Sequence, residues 1–208
     1  MKKNLLSWAL AGAVLGSAVV GTSCKGENFA NKPGSPDYYS YILKWEGKRN
    51  EVYDPNPRDN KYEPTIGVGH YLDRPDSRKT FEKVLPEVNY EDIYQGKSKL
   101  TDEQVKRLFN HDILEYESRA RRAFSNFDSF PGYLREALVD GFYRGDLTGS
   151  PKTRKLINEG KFYDASVEYL NHSEYRSAKK NGMSGVFYRM NSNSKAMKRY
   201  SEEIGERK

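Results

Sequence analysis

Glu46, Asp54 and Thr65 lie within a stretch of twenty residues, and together they could break a bond with water. One carboxyl group can protonate a leaving oxygen, while a second, helped by a hydroxyl, holds and deprotonates the attacking water. A general acid must keep its proton near neutral pH. Glu46 is suited to this if it stands in the last turn of a helix, where the partial negative charge of the helix end disfavours ionisation. Trp45 beside it would exclude some water, which works in the same direction.

The elements needed to position these groups are readable nearby. Tyr38, Tyr41, Ile42 and Trp45 recur at i, i+3, i+4 and i+7 and form one apolar helical stripe. Asp37 is a candidate N-cap ahead of it and Gly47 a stop behind it. Val52 and Tyr53 then open a strand, residues 55–60 (PNPRDN) are turn chemistry, and Thr65–His70 (TIGVGH) returns as a second strand. Alternation would put Thr65, Gly67 and Gly69 on one face and Ile66 and Val68 on the other. A face made of a hydroxyl and two glycines lets a bulky ligand approach the backbone.

The second half of the chain reads as helical. Thr101-Asp102-Glu103-Gln104 is a capping box, followed by an apolar stripe of Val105, Leu108, Phe109 and Ile113. Asp112 falls on that stripe, and a buried carboxylate there requires a partner. Leu134, Ala137, Leu138, Gly141 and Phe142 mark a well-buried helix, with Tyr143 and Arg144 at its end. Tyr143 could contact a ring-shaped ligand and Arg144 an acidic one; alternatively, Arg144 is a helix-terminal cation that satisfies the last carbonyls. Phe162, Ala165, Tyr169 and Leu170 give one more amphipathic helix. Residues 191–208 are polar and are expected to fray or to lie on the surface. No internal repeat is present.

Glu46-Gly47, Tyr53-Asp54 and Thr65–His70 together resemble the active-site lobe of phage-type lysozymes, glycoside hydrolase family 24. The likeness extends through Leu108-Phe109-Asn110-His111-Asp112, through 138–145, and through 158–175, which is similar to a following helix ending in an aromatic residue. It covers roughly Asp37 to Arg189. The resemblance implies an α+β fold in two lobes. A small lobe (37–100) would hold a short antiparallel sheet, a helical lobe would span 101–208, and a connecting helix near 98–120 would leave the cleft between them. It also implies a muramidase acting on the β-1,4 bond between N-acetylmuramic acid and N-acetylglucosamine. Glu46 would be the acid, with Asp54 and Thr65 positioning water and Gly67, Gly69, Tyr143 and Arg144 on the substrate. His70 would pair with Asp112 across the lobes. The family's aspartate lies nine residues after its glutamate and six before its threonine. Asp54 lies eight after Glu46, and the count back from Thr65 lands on Asp59. An enlarged hairpin turn reconciles the two counts, and Asp54 is preferred because it stays beside Tyr53 on the strand. A lytic transglycosylase would need Glu46 alone, and a wall-binding lipoprotein would need neither acid.

Composition is consistent with this reading without singling it out. The 208 residues are 36% hydrophobic and include sixteen tyrosines, enough for a core and for surfaces that grip sugars. Lys2-Lys3 followed by an apolar run from Leu5 to Val20 has the form of a secretory signal over 1–23. Cys24, the only cysteine, resembles a lipoprotein's lipidation site, with 24–36 as a flexible tether to the domain at 37–208. An exported protein is expected, in the periplasm or on the outer surface, with a membrane tether through Cys24 where that residue is lipidated. The net charge of +6, or +4 once residues 1–23 are removed, suits an anionic polymer such as peptidoglycan. Basic residues are scattered and no nucleic-acid-binding motif appears, so nucleic acid is not expected as a partner. One cysteine and three dispersed histidines imply no metal and no other cofactor. A monomer is expected.

Overall fold

The computed structural model of the chain describes residues 34–55, 57 and 61–206; the apolar leader, Cys24, most of the tether and Asp59 lie outside them. The first helix, α1, spans Tyr38–Glu46. It begins where the Asp37 side chain accepts the Ser40 N–H at 3.0 Å. It ends where Gly47, at φ 68°, donates its N–H to the Leu43 carbonyl at 2.9 Å. Ile42 is fully buried, and Glu46 is the last helical residue.

Three short strands follow: β1 (Arg49–Tyr53), β2 (Thr65–Gly67) and β3 (His70–Tyr71), antiparallel in that order. Tyr53 pairs with Thr65 and Arg49 with Gly67, so four steps on β1 face two on β2 and the register is irregular between them. The expected single strand from Thr65 to His70 is in fact two. Ile66 pairs with His70 across a turn in which Gly67 and Gly69 take φ of 68° and 84°, values open to glycine. Alternation across 65–70 therefore stops at Gly67.

The helices are α2 (Ser77–Val84), α3 (Tyr90–Tyr94), α4 (Asp102–Ala123), α5 (Gly132–Tyr143), α6 (Pro151–Asn158), α7 (Phe162–Tyr169), α8 (Ser173–Asn181) and α9 (Ser184–Glu203). A 3₁₀ turn at Phe127–Ser129 precedes α5. The capping box at Thr101 and Gln104 forms in both directions, at 2.8 and 3.2 Å. From there α4 runs for 22 residues and touches β2, β3, α1, α2 and α5, joining the sheet to the helices. Helix α5 is buried along its length, and a Cβ on Gly141 would lie 2.8 Å from the Leu147 side chain, so only glycine permits that approach.

Two stretches differ from the sequence reading. Residues 158–175 are not one helix: Gly160, at φ 74°, separates α6 from α7, and α8 begins only at Ser173. Residues 191–203 do not fray. They continue α9, a helix that leaves Lys195, Lys198 and Arg199 exposed on its outer face, as a surface helix does, but buries Arg189, Met190, Asn193, Ser194, Met197 and Ser201 against α5, α7 and α8. This buried face is largely polar, and its partners supply the hydrogen bonds that make burial tolerable: Ser194 donates to the Ser166 carbonyl at 2.9 Å, and Asn193 reaches α5 and α7.

Candidate active site

Glu46 leaves the end of α1 with its side chain one-third exposed, and its Oε1 accepts a hydrogen bond from Arg189 Nη1 at 2.5 Å. Arg189 itself is buried. Its Nε and Nη2 donate to Asp140, at 3.1 and 2.6 Å, and Asp140 is fully buried on α5. Burial opposes the charge on Arg189, but hydrogen bonding and attraction from Asp140, with Glu46 adding to both, outweigh it and raise its pKa. Asp140 also accepts from Asn193 Nδ2 at 2.8 Å, and Asn193 Oδ1 accepts from the Tyr41 hydroxyl at 2.8 Å. Sequence reading gave Glu46 a helix end and Trp45 as its surroundings; the structure adds a guanidinium as its immediate partner.

The hairpin brings the other candidates to the same end of α1. Thr65 is buried opposite Tyr53, and its hydroxyl donates to the Glu63 carbonyl at 2.9 Å. Burial raises the Tyr53 phenol pKa, and the negative charge of Glu46 adds to the effect, so the two lie within electrostatic reach. Asp54 follows directly, half-buried at the end of β1. Glu46, Tyr53-Asp54 and Thr65 thus belong to one locality, whereas Asp59 lies outside the described residues.

The glycines and the end of α5 have a different part from the one expected. A Cβ on Gly67 would touch Val105 at 3.5 Å, and one on Gly69 would fall 2.7 Å from the Tyr143 hydroxyl. On the side where a side chain would project, the space above both glycines is taken by the protein itself. Tyr143 donates its hydroxyl to the Val68 carbonyl and packs its ring on Tyr116 at 4.9 Å, fastening α5 to the hairpin turn. Burial, with Glu46 next in weight, pushes its pKa well above the usual phenol value. Arg144 pairs with buried Asp146 at 3.1 Å and with Glu174 at 2.7 Å, while the Tyr169 hydroxyl donates to Asp146 at 2.9 Å. Its bonds are those of a structural cation.

The ion pair between the sheet and α4 is present. His70 Nδ1 lies 2.6 Å from Asp112 Oδ2, and His70 Nε2 lies 2.9 Å from the Ser77 hydroxyl. Arg74 donates to the other Asp112 oxygen at 2.8 Å. Burial would raise the Asp112 pKa, but His70 and Arg74 together hold it below the usual carboxylate value.

Sequence reading missed Arg189, Asp140 and Asn193. Asp140 carried a signal: an acid in the middle of the apolar stripe Leu134–Phe142 needs a cation from elsewhere in the chain. Arg189 and Asn193 carried none: Arg189 is a single cation following Val186-Phe187-Tyr188, with nothing to mark it as buried, and Asn193 sits in a polar stretch that resembles solvated helix. Among the described residues no group of three or more His, Cys, Asp or Glu could hold a metal ion, and no helix is long and apolar enough to cross a membrane. A surface concavity lined by Arg74, Arg78, Tyr90 and Tyr94 does not include Glu46. Glu46 is a one-third exposed acid with a buried anchor behind it. No family model matches the chain, and no curated protein matches it.

Proposed function

We propose that the chain is a muramidase that hydrolyses the β-1,4 bond between N-acetylmuramic acid and N-acetylglucosamine in peptidoglycan. In this reading the sheet with α1–α3 is a small lobe and α5–α9 a larger one, in a lysozyme-like arrangement joined by α4. The observation that carries the reading is the placing of Glu46: a solvent-reaching carboxyl at a helix end, anchored from inside by Arg189 and within electrostatic reach of Tyr53, which pairs with Thr65 and directly precedes Asp54. Arg189 holds Oε1, leaving Oε2 to carry the proton given to the leaving glycosidic oxygen. Asp54 takes the proton of the attacking water. Thr65, whose hydrogen is committed to the Glu63 carbonyl, offers oxygen lone pairs to that water. An inverting hydrolase keeps its two carboxyl groups about 6.5–9.5 Å apart to admit the water.

Digestion of purified peptidoglycan, with mass analysis of the fragments, tests the reading. New reducing ends at N-acetylmuramic acid are expected. Anhydro ends would replace hydrolysis with transglycosylation, and no released fragment would leave wall binding only.

A further inference from the structure

Resting on the reading of Glu46 as the acid, we propose that Asp140 is a positioning residue that acts through Arg189 to fix the Glu46 carboxyl and to keep its protonated form accessible. Asp140 does not reach the surface. It is fully buried on α5 and grips the guanidinium from two sides, through Nε and Nη2. A planar guanidinium held in this way has its remaining direction fixed, and Nη1 points to Glu46. The grip is itself braced. Asn193 holds one Asp140 oxygen, and Tyr41 holds Asn193. Tyr41 and Glu46 are on the same helix, so Glu46, Arg189, Asp140, Asn193 and Tyr41 close a ring through α1, α5 and α9.

The charges within the ring explain why a second acid is needed. With Glu46 ionised, one buried cation serves two carboxylates. With Glu46 protonated, Arg189 and Asp140 remain as a neutral pair. Without Asp140, protonating Glu46 would strand a guanidinium in the interior, which is costly. A general acid beside a lone buried cation would be held ionised and unable to donate. Asp140 removes that penalty. Other titratable groups near Glu46 are Tyr53 from β1 and Tyr143 from α5, both of which keep their protons at neutral pH, and Asp54, which follows Tyr53; Lys44 lies in the same last turn of α1. Behind Asp140 stand Tyr169 and Asp146, joined to it through Asn193.

The test is carbon-13 NMR titration of the Glu46 carboxyl in the full chain, a readout that does not depend on which reaction the protein catalyses. Asp140→Asn should lower the Glu46 midpoint by about one unit or more, the effect of an uncompensated cation at this distance. Asp140→Asn combined with Arg189→Gln should bring it back to the wild-type midpoint or above. In kinetics the single variant should lose kcat at pH 7, recover part of it at lower pH, and keep KM. A purely structural role would lower activity equally at every pH. A folded Asp140→Asn protein with the wild-type midpoint would overturn the proposal. If that variant does not fold, Asn193→Ala keeps all three charges and only loosens the grip. It should still lower the midpoint, by about half a unit, and an unmoved midpoint there would overturn the proposal equally. Normal titration shifts in a protein that releases nothing from peptidoglycan would remove the muramidase reading and leave the positioning role standing.

Discussion

Glutamine at position 46 keeps the shape of the side chain and can still accept from Arg189, but it has no proton to give. Glu46→Gln should therefore fold normally and lose more than about a hundredfold in turnover on peptidoglycan. Activity within a few fold of wild type would end the assignment of this residue. Asp54→Asn should be nearly as damaging, and Asp59→Asn should keep most activity; the reverse pattern would move the second role to Asp59. The turn glycines give a second contrast at this scale. Alanine at Gly69 meets a left-handed φ and the Tyr143 hydroxyl at once, whereas alanine at Gly67 meets only the φ, since Val105 is at ordinary contact distance. Chemical denaturation should show Gly69→Ala costing about 2–3 kcal/mol and Gly67→Ala about 1–2 kcal/mol. Equal losses would mean that Tyr143 yields without cost.

Between elements, the His70–Asp112–Arg74 cluster ties β3 and α2 to α4. Asp112→Asn removes the anion that pairs with Arg74 and holds His70 Nδ1, and should cost about 2–4 kcal/mol near neutral pH. The folded Asp112 pKa lies below its ordinary value of 3.8, so the stabilisation is complete above about pH 4 and fades as pH falls through the folded value. Denaturation curves for wild type and variant should accordingly converge between about pH 4 and pH 2; a constant gap over that range would remove the ion pair as its source. The need for a partner was legible because Asp112 falls on the α4 stripe; His70 as that partner came from the family resemblance, and Arg74 was not foreseen. The first turn of α1, the α4 capping box and the α5 stripe were legible for similar local reasons. The break after Gly67 was not, because Thr65–His70 alternates correctly for a strand and only the pairing of Ile66 with His70 reveals the turn. Nor was α9. Its inward face is Arg189, Asn193, Ser194 and Ser201, and such residues become core only when α5 and α7 supply their hydrogen bonds.

At the scale of the whole molecule, the muramidase reading makes charge part of the approach to the substrate. A chain of net charge +6, or +4 without residues 1–23, would meet an anionic wall polymer by attraction that added salt screens within about 10 Å at 0.1 M. Sedimentation with purified cell walls should therefore fall several fold between 50 and 500 mM sodium chloride. Binding indifferent to salt would place recognition in uncharged contacts. The partners of the site are also widely separated along the chain. Glu46 and Arg189 are 143 residues apart, and Tyr41 and Asn193 are 152 apart. Closing such loops is the slow part of folding. The consequence concerns timing. A ribosome delivers the acid 143 residues ahead of its anchor. Every nascent chain that stops short of Arg189 carries Glu46 without it, so the site is assembled only when α9 has been released to pack.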